Sequence, residues 1–215
     1  MEPAGFEAAY FDTNYSDYFA QNPLRKMQYY QHVIERNLTP GVPRRIHDIG
    51  CAFGRFLSTL DDRWEICGSD VSRTAIVQAA EVMPRGLFKV AAASEEAVFP
   101  GKFGVVTAFD VIEHASDLDA IAQAVTNQLV EDGCFIFVVP VYDGLSGPII
   151  RRLDRDPTHI HKWPRRLWID WAQSHFHVIE WHGILRYLLP FRYYLHVPLE
   201  LFKNHLPAIM VVCRK

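Results

Sequence analysis

The sequence contains few cysteines, no long apolar run and no excess of basic residues, and each absence excludes a class of protein. Its four cysteines are far apart, form no C-x-x-C pair and fall in apolar segments, which is typical of unpaired thiols in a reducing compartment. No stretch of about 18 uninterrupted apolar residues could span a bilayer. Residues 1–18 are acidic and aromatic, unlike a secretory signal. We therefore expect a soluble, cytoplasmic protein with at most peripheral contact with a membrane.

Acidic residues slightly outnumber basic ones. The chain carries 25 Asp and Glu against 22 Lys and Arg, a net charge of −3, and so lacks the overall positive charge that favours nucleic-acid partners. Its 215 residues are 49% hydrophobic, enough to bury one full core. We expect one domain over residues 1–215, a monomer or homodimer without a nucleic-acid partner.

Apolar, strand-like segments alternate with helical ones along most of the chain. The strand-like segments are Arg45–Ile49, Trp64–Ser69, Leu87–Ala91, Phe103–Phe109, Cys134–Pro140, Val178–Gly183 and Ala208–Cys213. The helical segments are Arg55–Leu60, Arg73–Met83 and Leu118–Val130. Such alternation is typical of a parallel sheet with crossover helices. We therefore predict an α/β, Rossmann-like fold: a seven-stranded, mostly parallel sheet with helices on both faces and an antiparallel last strand.

A small-residue turn follows the first predicted strand, in the stretch Ile46-His-Asp-Ile-Gly-Cys-Ala-Phe-Gly54. Gly50 and Gly54 let the backbone pass close to a ligand, and the start of the next predicted helix offers unpaired N–H groups. Asp70 follows the second strand and can accept both hydroxyls of a ribose. Together these features predict a site for an adenosine-containing cofactor.

The spacing within this turn separates two classes of cofactor. A dinucleotide fold requires G-x-G-x-x-G, but position 52 is alanine. Asp48 suits a ligand with an ammonium group, whereas a carboxylate would repel a pyrophosphate. The segment Asp48-x-Gly50-Cys51-x-x-Gly54 resembles motif I of the class I S-adenosylmethionine-dependent methyltransferases.

Two further segments support this resemblance. Phe103-Gly-Val-Val-Thr-Ala-Phe-Asp-Val-Ile-Glu-His114 is similar to the family's F-D-V-V-x-x-x-E-V-I-E-H segment. Asn22-Pro-Leu-Arg25 resembles a tetrapeptide that precedes motif I in the ubiquinone-biosynthesis O-methyltransferases. The specific motifs cover residues 22–140 and imply S-adenosyl-L-methionine as the cofactor. On this basis residues 1–40 form an N-terminal aromatic and helical cap, 41–140 the cofactor-binding core, and 141–215 a substrate-side segment with the last strands.

The resemblance also implies roles for individual residues. Arg25 would pair with the carboxylate of the cofactor, Asp48 and Gly50 would lie against its amino-acid portion, and Asp70 would take the ribose. The acidic residue that often binds the adenine is missing, so the backbone near Ala93 and Ser94 is the predicted contact. The implied cofactor-binding residues are Arg25, Asp48, Gly50, Cys51, Gly54, Asp70, Val71, Ala93, Ser94 and Phe109. A surface ion pair for Arg25 and a helix cap for Asp70 are the structural alternatives, although Ser72 is the better cap.

Methyl transfer needs a general base only when the acceptor keeps its proton, as a hydroxyl does, and histidine titrates in the right range. His114 follows the fourth strand, and His159 and His161 lie in the segment Asp156–Trp163. In an extended loop the last two would face one pocket. We predict O-methylation of a small or medium-sized organic acceptor, glycan-linked or lipid-linked molecules included, with His161, His159 and His114 as catalytic residues. Packing and capping of the loop is the alternative role for these histidines.

Other interpretations stay open at this stage. Asp110-x-x-Glu113-His114 resembles the E-x-x-E-H metal ligands of ubiquinone and small-RNA 2′-O-methyltransferases, which His161 could complete. Asp110 replaces the usual glutamate and hard cations prefer oxygen, so we predict no metal. N- or C-methylation, metal-assisted 2′-O-methylation of RNA and a non-catalytic cofactor-binding subunit are the functional alternatives. The aromatic residues of 5–19 are interpreted as a flap over the cofactor, and Leu185–Leu206 as core packing, a lid, a dimer face or an interfacial patch.

Overall fold

The computed structural model describes residues 18–144, 147–154, 156–189 and 193–215. Its helices are α1 (Tyr18–Gln21), α2 (Leu24–Asn37), α3 (Arg73–Val82), α4 (Leu118–Gln128), α5 (Gly147–Leu153) and α6 (Arg165–His175). Its strands are β1 (Arg45–Ile49), β2 (Glu65–Asp70), β3 (Leu87–Val90), β4 (Phe103–Phe109), β5 (Leu129–Pro140), β6 (His177–Leu189), β7 (Tyr193–Pro198) and β8 (Ala208–Arg214). Most of the predicted flap, residues 5–17, lies outside the described residues.

The strands form one sheet in the order β3-β2-β1-β4-β5-β8-β6-β7. Strands β1 to β5 are parallel, and β8 is antiparallel to both β5 and β6. The predicted mostly parallel sheet with an antiparallel last strand is confirmed. The sheet has eight strands rather than seven, because β7 pairs with β6 inside the segment Leu185–Leu206.

Apolar residues on alternate positions of the central strands build a core on each face of the sheet. In β5, Phe135 and Phe137 pack on one side with residues of α4 and α6, while Ile136 and Val138 pack on the other with residues of α2 and α3. Both faces are thus covered by helices, as predicted. None of the described helices is long and apolar enough to cross a bilayer.

The helix predicted over Arg55–Leu60 is wrong. This segment contains only a three-residue 3₁₀ turn, Leu57–Thr59. The hydroxyl of Ser58 donates to the carbonyl of Arg55 at 2.8 Å, and that of Thr59 donates to the carbonyl of Phe56 at 2.7 Å. Such local bonds compete with the α-helical pattern. The glycine turn therefore has no following α-helix whose N-terminus could supply free amides.

Candidate active site

A cavity of about 490 Å³ lies at the carboxyl ends of the parallel strands. Residues at or just beyond the ends of β1, β2, β3 and β4 line it, among them Gly50, Asp70, Ala93 and Asp110. The carboxyl ends of parallel strands meet at one edge of a sheet, where open α/β folds bind ligands. The cavity is therefore where the sequence motifs place the cofactor.

The turn after β1 is held close against β2. The amides of Gly50 and Cys51 both donate to the carbonyl of Ser69, at 2.7 and 3.0 Å. The amide of Ala52 donates to Asp70 Oδ2 at 2.9 Å, and Ser72 N–H donates to Asp70 Oδ1 at 2.9 Å. Asp70 therefore fixes the turn while its remaining lone pairs are available to a ligand. The side chain that caps α3 is Ser72, which accepts from the amide of Ala75.

Two buried carboxylates set the electrostatics of this end of the cavity. Asp48 is 4% exposed, and Thr107 donates a hydrogen bond to its Oδ1 at 2.7 Å. Burial raises the pKa of Asp48 to about 7 despite that bond, and burial also raises the pKa of Asp70. A cationic group bound beside Asp48 would stabilise its charged form. The pair therefore suits a ligand that carries an ammonium group.

The cavity brings together most of the residues that the resemblance implied. The described lining contains Asp48, Gly50, Cys51, Asp70, Val71, Ala93, Ser94 and Phe109. Gly54 lies outside it, with its backbone packed against Ala79 of α3.

Arg25 also lies outside this lining. Its side chain is exposed, and its guanidinium donates to the backbone carbonyl of Tyr194. The next residue, Lys26, is buried and lines the cavity instead. Side chains of successive residues in an α-helix point about 100° apart. A sequence match therefore does not tell which of the two neighbours faces the cavity.

His114 and His159 both line the cavity, with ring centroids 4.7 Å apart. His159 Nδ1 lies 3.0 Å from Asp154 Oδ2. A carboxylate only accepts, so Nδ1 carries a proton. Nε2 lies 4.0 Å from Asp156 Oδ2. Burial alone would raise the pKa of Asp154, but hydrogen bonds from Tyr142, Lys162 and His159 lower it well below the usual range. Burial lowers the pKa of His114.

His161 does not share this pocket. Its Nε2 donates to the carbonyl of Ala115 at 2.7 Å, and its ring packs 4.7 Å from that of Trp163. The expectation that His159 and His161 face one pocket is wrong because the loop is not extended. Asp156 Oδ1 accepts from both the amide and the hydroxyl of Thr158, which turns the chain just before His159.

A buried carboxylate lies beside the two cavity histidines. Glu113 is 1% exposed, and neither of its oxygens has a hydrogen-bond partner among the residues described. Burial and the charge of Asp110 raise the pKa of Glu113 well above its usual range. One ligand atom each from Glu113, His114 and His159 lies within 4.8 Å of the others. The sequence pointed to Asp110 and His161 as further ligands beside Glu113 and His114. In the structure His159 completes the cluster instead, and Asp110 and His161 are not part of it.

Asp110 is engaged elsewhere in the cavity. It accepts from Arg186 of β6 and lies 3.6 Å from the Nζ of Lys26. Burial alone would raise the pKa of Asp110, but these two cations hold it at about 2. Sequence reasoning missed Lys26 and Arg186. Lys26 directly follows the Asn-Pro-Leu-Arg match and could have been considered, whereas nothing local marks Arg186 within its aromatic segment.

Comparison with known proteins identifies the family of the chain. The profile of the methyltransferase domain matches residues 20–181. Among curated protein sequences, none matches the chain significantly.

Solved structures share the fold at low sequence identity. The YcgJ protein of Bacillus subtilis has a TM-score of 0.65 at 16% identity, covering 87% of this chain and 98% of its own. An S-adenosylmethionine-dependent methyltransferase of Thermotoga maritima has a TM-score of 0.65 at 13% identity, covering 95% and 96%. The methyltransferase domain of a bacterial Hen1 has a TM-score of 0.60 at 19% identity, covering 88% and 97%.

Proposed function

The chain belongs to the methyltransferase-domain family and is a class I enzyme with S-adenosylmethionine as cofactor, and we propose that it methylates a hydroxyl oxygen. The proposed acceptor is a small or medium-sized organic molecule. The observation that carries this proposal is the hydrogen bond from His159 to Asp154 at the edge of the cavity. A neutral hydroxyl needs a base of this kind because it must lose its proton as it attacks, whereas an acceptor that is already anionic, such as a thiolate, does not.

Bound S-adenosylmethionine supplies an electrophilic methyl group with a good leaving group. The residues of the chain bind the cofactor, orient the acceptor and manage the acceptor's proton. In the proposal, His159 Nε2 takes the hydroxyl proton as the oxygen is methylated. Asp154 holds the imidazole in the required tautomer through Nδ1 and stabilises the imidazolium that forms, the role a carboxylate has in a catalytic triad. His114, with its ring beside that of His159, is the second candidate base.

The experiment that tests this function is a screen of metabolite pools with S-adenosylmethionine whose methyl group is deuterated. We expect a product that gains one trideuterated methyl group, and fragmentation that places it on oxygen. The variant His159→Ala should form this product about 10²- to 10⁴-fold more slowly, whereas His161→Ala should form it at close to the parent rate. A product methylated on nitrogen or carbon would contradict the proposed acceptor atom while leaving the methyltransferase assignment intact.

The cluster of Glu113, His114 and His159 favours one second candidate, metal-assisted O-methylation. Two imidazoles and one carboxylate suit a first-row transition metal better than Mg²⁺, which prefers oxygen ligands. Glu113 has two buried oxygens without a partner among the described residues, which a cation would satisfy. When bound, the metal would hold and polarise the acceptor hydroxyl, and His159 would be a ligand instead of a base. The slightly acidic composition argues against RNA as the acceptor.

Metal analysis separates the two candidates. The purified enzyme would be dialysed against a chelator and its metal content measured by mass spectrometry before and after. If His159 is the base, activity survives the chelator. Activity that is lost and then restored by Mn²⁺ would favour the metal, and Glu113→Gln should then abolish metal binding.

A further inference from the structure

Two cations from distant parts of the chain converge on one carboxylate in the cavity. Lys26 lies on α2 and Arg186 on β6, and both pair with Asp110 at the end of β4. The side chains of Lys26 and Arg186 are only 6% and 17% exposed. Asp110 has a positive φ of 60°, an uncommon conformation for a residue with a side chain. The three side chains meet next to the ends of β1 and β4 that form the cofactor site.

Around Asp110, two positive side chains share one negative side chain. Within the described residues, Asp110 is the one carboxylate that forms an ion pair with either cation. Glu113, three residues on, forms no ion pair with either cation among the described residues, so Asp110 alone pairs with both. A buried charge without a full counter-charge is unfavourable. The site is therefore one that an anionic group of a ligand would stabilise.

A neutral donor lies beside the two cations. Tyr30 is 1% exposed and lines the cavity, and its hydroxyl has no hydrogen-bond partner among the residues described. Its ring packs 4.2 Å from that of Phe109, which fixes its position, and the Nζ of Lys26 lies 5.8 Å from its centroid. A phenol that stays protonated can donate to an anion. Lys26 also donates to Asn22 Oδ1 at 3.1 Å, which together with Asp110 leaves it one further donor, and Arg186 and Tyr30 add donors of their own.

We propose that Lys26, Arg186 and Tyr30 form an anion subsite, which holds a carboxylate or phosphate group of a bound ligand. Two ligands could bring such a group. One is the cofactor, whose amino-acid portion ends in a carboxylate that the resemblance had assigned to Arg25. The other is an acceptor that carries an acid group, and this source rests on the proposed function.

Calorimetry without turnover distinguishes the two sources. S-adenosylhomocysteine and its analogue without the carboxylate would each be titrated into the parent protein, Lys26→Met and Tyr30→Phe. Inorganic phosphate would then be titrated into the complexes with S-adenosylhomocysteine. Arg166→Met is the matched control, since it also removes one positive charge but from an exposed side chain on α6. Thermal melting confirms that each variant is folded, and Lys26→Met leaves Asp110 paired with Arg186.

If the anion is the cofactor's, Lys26→Met weakens binding of S-adenosylhomocysteine by about 10- to 100-fold, as expected for a lost charge-assisted hydrogen bond. The analogue without the carboxylate then binds the variant and the parent equally. If the anion is the acceptor's, both nucleosides bind normally and phosphate binds the parent complex but not that of Lys26→Met. Unchanged affinity of S-adenosylhomocysteine in Lys26→Met and Tyr30→Phe, together with no phosphate binding to the parent complex, overturns the proposal. None of these outcomes depends on which acceptor atom is methylated.

Discussion

The side chain of Val111 closes over the Cα of Gly50, so that a Cβ built on Gly50 would lie 2.2 Å from Val111 Cγ2. Gly50 also has φ of +70°, a left-handed conformation that costs other residues about 1–2 kcal/mol. The contact joins the turn after β1 to the turn after β4. Gly50 and Val111 both line the cavity.

We expect Gly50→Ala to destabilise the protein by about 3 kcal/mol, since it combines backbone strain with overpacking. Affinity for S-adenosylhomocysteine should fall as well. Gly41→Ala is the matched control because Gly41 has φ of +87° with nothing within 4 Å of an added Cβ, so it should cost about 1 kcal/mol. Urea unfolding measures both, and equal costs would show that Val111 moves aside.

Asp70→Ala should weaken binding of S-adenosylhomocysteine by about 1.5–3 kcal/mol for each ribose hydrogen bond lost. Because Asp70 also holds the turn through Ala52 and Ser72, the variant alone cannot separate the two roles. A ligand with 2′-deoxyribose completes a double-mutant cycle. We expect deoxygenation to weaken binding to the parent but not to Asp70→Ala, as measured by calorimetry. Equal losses in both proteins would remove the ribose assignment.

His159→Ala should lower turnover by about 10²- to 10⁴-fold, the range for a lost general base. Cofactor affinity should not change. His161→Ala removes a ring of the same kind that packs on Trp163 outside the cavity, and should keep most of the activity. Steady-state kinetics on the acceptor from the metabolite screen provides the comparison. A larger loss in His161→Ala than in His159→Ala would refute the assignment.

Asp48→Asn should stabilise the protein without cofactor at alkaline pH. The Asp48 carboxyl ionises near pH 3.8 in the unfolded chain, whereas burial raises its pKa to about 7 in the folded protein. The unfolded state therefore binds fewer protons between these values, and the parent loses stability as the pH rises through this window. Above about pH 7 the buried charge of Asp48 lowers the free energy of unfolding by up to about 4 kcal/mol. The asparagine avoids this cost because it does not ionise.

Urea unfolding at pH 5 and pH 8.5 tests this expectation, with Asp62→Asn as the control because Asp62 is 99% exposed. The advantage of Asp48→Asn over the parent should grow with pH. The same variant should bind S-adenosylhomocysteine more weakly because it loses a charge opposite the ligand's ammonium group. An advantage that is the same at both pH values would contradict the shifted pKa.

The sequence predicted best what depends on local pattern. The apolar runs of β1 and β4 match the observed bounds, Arg45–Ile49 and Phe103–Phe109, because buried parallel strands read as continuous apolar segments. β7 was missed because Tyr193–Pro198 lies in an aromatic stretch without clear alternation. The residues after the strand ends could be placed in the cavity from motifs alone.

The failures of prediction concern side-chain direction and tertiary pairing. Arg25 and Lys26 are neighbours in sequence, yet only the packing of α2 decides which of them faces the cavity. His159 and His161 were expected on one side because alternate residues of an extended chain face the same way. The turn at Asp156 breaks that pattern. Arg186 reaches Asp110 across 76 positions of sequence, and no local signal encodes such a contact.

The position of β8 between β5 and β6 affects the order in which the chain folds. Within the sheet, the β6–β7 hairpin joins the parallel strands through β8 alone, since β8 lies between β5 and β6. The hairpin carries Arg186 and contributes the carbonyl of Tyr194 that binds Arg25. Strand pairing must therefore bridge a long separation in sequence, from β5 to β8, before Arg186 is held opposite Lys26. Long-range pairing of this kind slows folding, so we expect the side of the cavity that contains Arg186 to form only after β5 and β8 have paired.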